Sequence, residues 1–165
     1  MPVTQDIVAT YRGPGKVVER LLQAGPREDR LLALVMGACV IFFVARWPAL
    51  AREAHLADKD LNMLLGGTLL AIVFIFPLIV YAVGFLTGVI GTPLGFRGGG
   101  FGARLALVWA LLASSPLVLL NGLVAGFIGA GPALSIVGAV WFAVFAWFWV
   151  QGMRGAHRAG SGQGA

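Results

Sequence analysis

The most constraining feature of this chain is an uncharged run of thirty residues, from Leu61 to Ile90. As one straight helix this run would be ~45 Å long, whereas the hydrocarbon core of a bilayer is ~30 Å thick. Two spans would need about forty residues. The run therefore predicts one membrane-spanning helix that is tilted, kinked or extended beyond the core. Pro77, near its middle, is the candidate for a kink.

The charged residues are few and segregated. They make up 12% of the chain against 59% apolar residues, whereas roughly a quarter of an ordinary globular domain is charged. They are confined to four islands, which we interpret as loops and chain ends: 1–30, 46–60, 97–104 and 154–158. The apolar segments between them predict four spans, at about 30–50, 61–88, 104–124 and 133–150. The predicted fold class is all-α, a polytopic integral membrane protein with a four-helix transmembrane bundle in 31–150.

Both ends of the chain are predicted to lie outside the bundle. In the N-terminal segment 1–30, Pro14 and Gly15 mark a break, after which Lys16 to Gln23 could form a short amphipathic helix. A helix in the membrane interface fits this pattern, and a frayed, solvated tail is the alternative. Its apolar face would comprise Val17, Val18, Leu21 and Leu22. The glycine-rich, basic segment 151–165 predicts a disordered tail.

The distribution of basic residues predicts an orientation. Nine of the twelve Lys and Arg side chains lie in the two chain ends and in the loop before the third span, which four spans place on one side. The positive-inside rule then places both termini of this multi-pass membrane protein in the cytoplasm. Because the basic residues flank apolar segments, the net charge of +5 favours anionic lipid as a partner over nucleic acid.

Polar side chains within the predicted spans are scarce. Ser114 and Ser115 precede Pro116, a second kink candidate, and Asn121 follows in the same span. A proline at this depth is tolerated when nearby hydroxyls or waters take up the freed carbonyls. We expect these groups to form hydrogen bonds between helices or with their own backbone, with a substrate site as the alternative. The absence of ionisable residues from the span interiors argues against ion-coupled transport.

Two pairs of glycines four residues apart are candidates for close helix packing. Gly84 and Gly88 lie late in the second span, and Gly122 and Gly126 lie late in the third. Small residues at this spacing let helix backbones approach. Chance spacing is the alternative in a chain with 24 glycines.

The sequence predicts no catalytic, cofactor-binding or metal site. Glu53, His55, Asp58 and Asp60 could supply metal ligands, but Glu53 and His55 would not share a helix face, and a solvated loop is the preferred interpretation. Trp141 lies about halfway along the fourth span. It could contact a partner or a pigment-like ligand, although ordinary helix packing is favoured.

The layout resembles the bacterial branch of the Yip1 family of membrane proteins over roughly residues 15–150. A stretch of about thirty residues precedes the first span. A glycine-rich turn with basic residues, Gly98 to Arg104, leads into a span that carries the proline motif Ala113 to Leu117. The resemblance implies a membrane scaffold rather than a reaction, located in the bacterial cytoplasmic (inner) membrane.

These observations favour a non-enzymatic protein with a structural or accessory role. Its expected partners are the lipid bilayer and other membrane proteins, either within a larger complex or as further copies of this chain. The second interpretation is a small-molecule channel or permease that uses the polar groups near Pro77 and Pro116.

Overall fold

The computed structural model describes residues 3–162, of which 88% are helical. The helices are α1 Val3–Arg12, α2 Pro14–Gln23, α3 Glu28–Ala57, α4 Leu61–Leu70, α5 Phe76–Gly91, α6 Gly99–Ala113, α7 Ser115–Phe127 and α8 Pro132–Gly162. A π-helical segment, Ala71–Ile75, joins α4 to α5 without a break. Residues 3–162 contain no strand, and the predicted all-α class is confirmed.

Three helical stretches are long and apolar enough to cross a membrane: α3, the continuous segment Leu61–Gly91, and α8. Helices α6 and α7 pass the same test together, but a bend of 46° separates them. The prediction of several long apolar helices is thus confirmed. By length and composition they provide three spans, or four if the bent pair is one span.

The first two long helices are joined by a tighter turn than we predicted. Helix α3 continues past Pro48 to Ala57, so only residues 58–60 lie outside a helix. Asp58 adopts the left-handed conformation that ends α3, with φ of 50°. The carboxylate of Asp60 accepts a hydrogen bond from the Asn62 backbone N–H at 2.8 Å. Asp60 therefore caps the N-terminus of the second long helix.

The irregularity in the second long helix begins before Pro77. The Phe76 N–H bonds to the Ala71 carbonyl, five residues back, which is the π-helical pattern. Pro77 follows in the first turn of α5, where its missing N–H is tolerated.

The glycine-rich loop is shorter than predicted. We predicted that the third span begins at Arg104, whereas α6 begins at Gly99. A Cβ atom added to Gly102 would lie 3.2 Å from the Ala156 Cβ atom. The absence of side chains here lets the start of α6 lie directly against α8, and this packing compensates for the low helix propensity of glycine.

The prediction of a disordered tail is wrong for residues 151–162. They continue α8 to Gly162, while 163–165 lie outside the described residues. Gly152, Gly155 and Ala156 are buried in this extension, because α2 packs along it. Packing supplies the stabilisation that the composition of this segment lacks.

The N-terminal segment forms two helices, of which only the second was predicted. Proline is favoured in the first turn of a helix, so α2 starts at Pro14 rather than at Lys16. Its apolar residues Val17, Val18 and Leu21 are buried, since α2 contacts α8 and α6. The face that we expected on the membrane surface is therefore covered by the protein itself.

Helix α6 forms the centre of the bundle. Every residue from Gly102 to Ala113 is buried except Arg104. One end of the bundle brings together α2, the loop 92–98 and the last turns of α8, and we call it the terminal end. The opposite end holds the turns 58–60 and 128–131.

Candidate functional site

The break between α6 and α7 leaves backbone carbonyl groups without helical partners. Pro116 has no N–H to donate, and the Leu117 N–H bonds to the Ser114 carbonyl at 3.1 Å. The Ala113 carbonyl therefore lacks the bond that the Leu117 N–H would make in a regular α-helix.

Two hydroxyl groups bond to carbonyls at this break. The Ser114 hydroxyl donates to the Leu111 carbonyl at 3.0 Å, and the Tyr11 hydroxyl donates to the Ala113 carbonyl at 3.2 Å. Partial burial raises the pKa of Tyr11 further above its ordinary value of about 10, so this phenol is protonated at neutral pH and able to donate. The expectation that hydroxyls take up freed carbonyls thus agrees with the geometry, although one hydroxyl comes from α1.

Two tryptophans extend this network into neighbouring helices. The Trp141 indole N–H of α8 donates to the Ser114 hydroxyl at 3.2 Å. The Trp109 indole N–H donates to the Thr10 hydroxyl at 2.9 Å, and that hydroxyl donates to the Asp6 carbonyl at 2.7 Å. We call Thr10, Tyr11, Trp109, Ser114 and Trp141 the bend cluster. It links α1, α6 and α8 around the break.

The other polar candidates lie apart from one another. Ser115 is buried beside the break, whereas Asn121 lies farther along α7 and donates to the Leu134 carbonyl of α8 at 3.4 Å. Ser114 and Asn121 thus both make hydrogen bonds within the protein. Trp141 also packs against Phe145 and Phe42, with ring centroids 5.9 and 6.4 Å away, as in ordinary helix packing.

The glycines of the third span lie against α3. A Cβ atom on Gly122 would overlap the Ala45 carbonyl oxygen, and one on Gly126 would overlap Pro48. The backbones of α3 and α7 therefore approach directly at these positions.

The glycines of the second span lie against α6. A Cβ atom on Gly84 would lie 2.7 Å from the Arg104 Cγ atom, and one on Gly88 would lie 3.0 Å from the Gly100 Cα atom. All four candidates thus occupy close helix contacts.

Ion pairs hold the terminal end together. Asp6 is buried and pairs with Arg20, which links α1 to α2. Arg104 of α6 pairs with Glu28 at the start of α3 at 2.6 Å. Among residues 3–162, no group of three or more His, Cys, Asp or Glu side chains could hold a metal ion.

Sequence reasoning missed the part of the bend cluster that α1 supplies. Thr10 and Tyr11 lie in a mixed, polar segment with no pattern that relates them to α6. Trp109 indicates that a hydrogen-bond acceptor lies nearby, since a buried indole N–H generally has one. That signal does not identify which residue accepts.

The fold and the site define an all-helical protein with several helices that are long enough and apolar enough to span a membrane. Its polar interior groups join these helices to one another. No family model, curated protein or solved structure matches this chain.

The Thr10–Trp109 bond provides a test of the bend cluster. Thr10→Val leaves the buried indole N–H without its acceptor, so we expect the free energy of unfolding to fall by about 1–3 kcal/mol. Thr4→Val, an exposed position on the same helix, is the matched control. Unfolding followed by tryptophan fluorescence in detergent would measure both, and equal effects would contradict the role of this bond.

Proposed function

We propose that this chain is a non-enzymatic integral membrane protein with a structural or accessory role. In this proposal α3, α4–α5, the bent pair α6–α7 and α8 are its four spans. The terminal end, with both termini, lies in the cytoplasm, and the membrane is the bacterial cytoplasmic membrane. The excess of basic residues at the terminal end supports this orientation.

The observation that carries the proposal is the free surface of the second span. No residue from Leu61 to Ile79 is buried, although this segment belongs to the most apolar helical stretch of the chain. Large side chains project from it, with Met63 79% and Leu78 70% exposed. Such a surface suits contact with lipid and with another membrane protein or a second copy of this chain.

Two glycines on this surface favour a helical partner. A Cβ atom on Gly66 or on Gly67 would meet nothing within 4 Å. Both positions are exposed, so the backbone of another helix could approach closely here, as small residues permit in membranes.

The internal hydrogen bonds favour this role over a channel or permease. A polar path would need free groups along the bundle, whereas Ser114 bonds to Leu111 and Trp141, and Asn121 bonds to Leu134. The Yip1-like layout remains part of the proposal. Helices α1 and α2 stand before the first long helix, and the glycine-rich segment leads into the helix pair that Pro116 interrupts.

Purification in a mild, neutral detergent tests the accessory role. We expect a stoichiometric partner, or a second copy, to be retained by the native chain and lost from the Gly66→Leu/Gly67→Leu variant. Gly37→Leu is the control, because a Cβ atom there also meets nothing within 4 Å but lies on α3. Mass spectrometry would identify the retained chains. A monomer without partners, together with a hydrated path through the bundle, would contradict the proposal.

A further inference from the structure

A cleft of about 690 Å³ opens at the terminal end, between the end of α5, the loop that follows it and α8. It is separate from the bend cluster. The residues that line it are Thr87, Leu94, Gly95, Phe96, Trp149, Val150, Met153, Arg154, His157 and Arg158.

The α8 side of the cleft changes character along the helix. Val150, Arg154 and Arg158 follow one another at four-residue intervals and so share a face. This face is apolar at Val150 and basic four and eight residues later. The opposite wall includes Leu94, which is 81% exposed, and the partly buried Phe96. The cleft therefore has an apolar part and a cationic part side by side.

One carboxylate compensates only part of the charge of the cationic part. Arg154 is exposed and makes no ion pair within residues 3–162. Arg158 approaches Glu19 only to 3.7 Å between Nε and Oε2, and its side chain is also exposed. No acidic residue is among those that line the cleft. The Arg154 guanidinium and the exposed part of the Arg158 guanidinium are thus available to an anion, and phosphate suits their hydrogen-bonding geometry.

We propose that this cleft binds an anionic phospholipid. Its phosphate contacts Arg154 and Arg158, and its acyl chains lie against Leu94, Trp149 and Val150. The inference rests on the proposed membrane location, in which the change from apolar to basic residues on α8 falls at the headgroup level. A small soluble anion would contact the arginines alone and would make no contact with the apolar part of the cleft.

Native mass spectrometry of the full chain in neutral detergent tests this proposal. With phosphatidylglycerol as the ligand we expect one tightly retained lipid per chain, and weaker retention of phosphatidylcholine. Arg154→Gln/Arg158→Gln should reduce the affinity for phosphatidylglycerol on the order of 10- to 30-fold, because each basic residue contributes to anionic lipid binding. Leu94→Ser, at an exposed position, should weaken the binding of both lipids.

Arg12→Gln/Lys16→Gln is the matched control. It removes two exposed charges of the N-terminal helices that lie outside the cleft, and it should leave lipid retention unchanged. Equal binding of both lipids, equal effects of the two double variants, or full displacement by millimolar inorganic phosphate would overturn the proposal. If the chain purifies without partners, the accessory role fails, but the lipid measurements still test the cleft. If alkaline carbonate released the chain from membranes, that result would contradict the membrane location on which both proposals rest.

Discussion

Replacing Gly122 with alanine is expected to destabilise the protein by about 1–3 kcal/mol, because the contact between α3 and α7 cannot accept an added methyl group. The new Cβ atom would overlap the Ala45 carbonyl oxygen. That oxygen belongs to the backbone of α3, so a change of rotamer cannot relieve the overlap. The helices must separate and lose packing on either side. Gly122→Leu should have a larger effect and reduce the yield of folded protein.

Gly37→Ala is the control, and we expect it to change the stability in the opposite direction. Gly37 lies within α3, and a Cβ atom there meets nothing within 4 Å. Glycine inside a helix costs roughly 0.5–1 kcal/mol relative to alanine, so this variant should be slightly more stable than the native chain. Equilibrium unfolding in detergent micelles would compare the two. A Gly122→Ala variant as stable as Gly37→Ala would show that α3 and α7 do not approach closely.

The long helices and the positions of close packing could be predicted from local patterns. Uncharged length predicts the helix that begins at Leu61, and glycines four residues apart predict a close approach at Gly122 and Gly126. The spacing does not identify the neighbouring helix, because a small residue admits any backbone of suitable shape. That the neighbour is α3 depends on contacts between residues far apart in the chain.

For the same physical reason, the packing of the two chain ends could not be predicted. Helix α2 is too short to be stable alone in water, and the composition of 151–162 favours disorder. Each is stabilised by the other, although more than a hundred residues separate them in the sequence. Tyr11 shows the same dependence, since its hydroxyl bonds to the Ala113 carbonyl only after α1 and α6 have been brought together.

Gly155→Leu should release the α1–α2 pair from the bundle. A Cβ atom on Gly155 would overlap the Gly15 carbonyl oxygen, and one on Gly15 would lie 2.8 Å from the Gln151 carbonyl oxygen. The two helices therefore cross backbone to backbone. A leucine side chain at Gly155 must displace α2 from α8, and Val18, packed beside Gly152, must leave with it.

Trypsin can detect this release, because α1 and α2 carry Arg12, Lys16 and Arg20. Cleavage requires local opening of these helices, so we expect Gly155→Leu to accelerate it about tenfold, in line with a typical cost of overpacking. Gly162→Leu is the control on the same helix, since a Cβ atom there meets nothing within 4 Å. If the variant elutes like the native chain in size exclusion while its N-terminal helices are cleaved faster, the release is local. Equal cleavage rates in the two variants would mean that the Gly15–Gly155 crossing does not hold the N-terminal helices in place, and the bond from Tyr11 to the α6–α7 break would then have to be maintained by α1 alone.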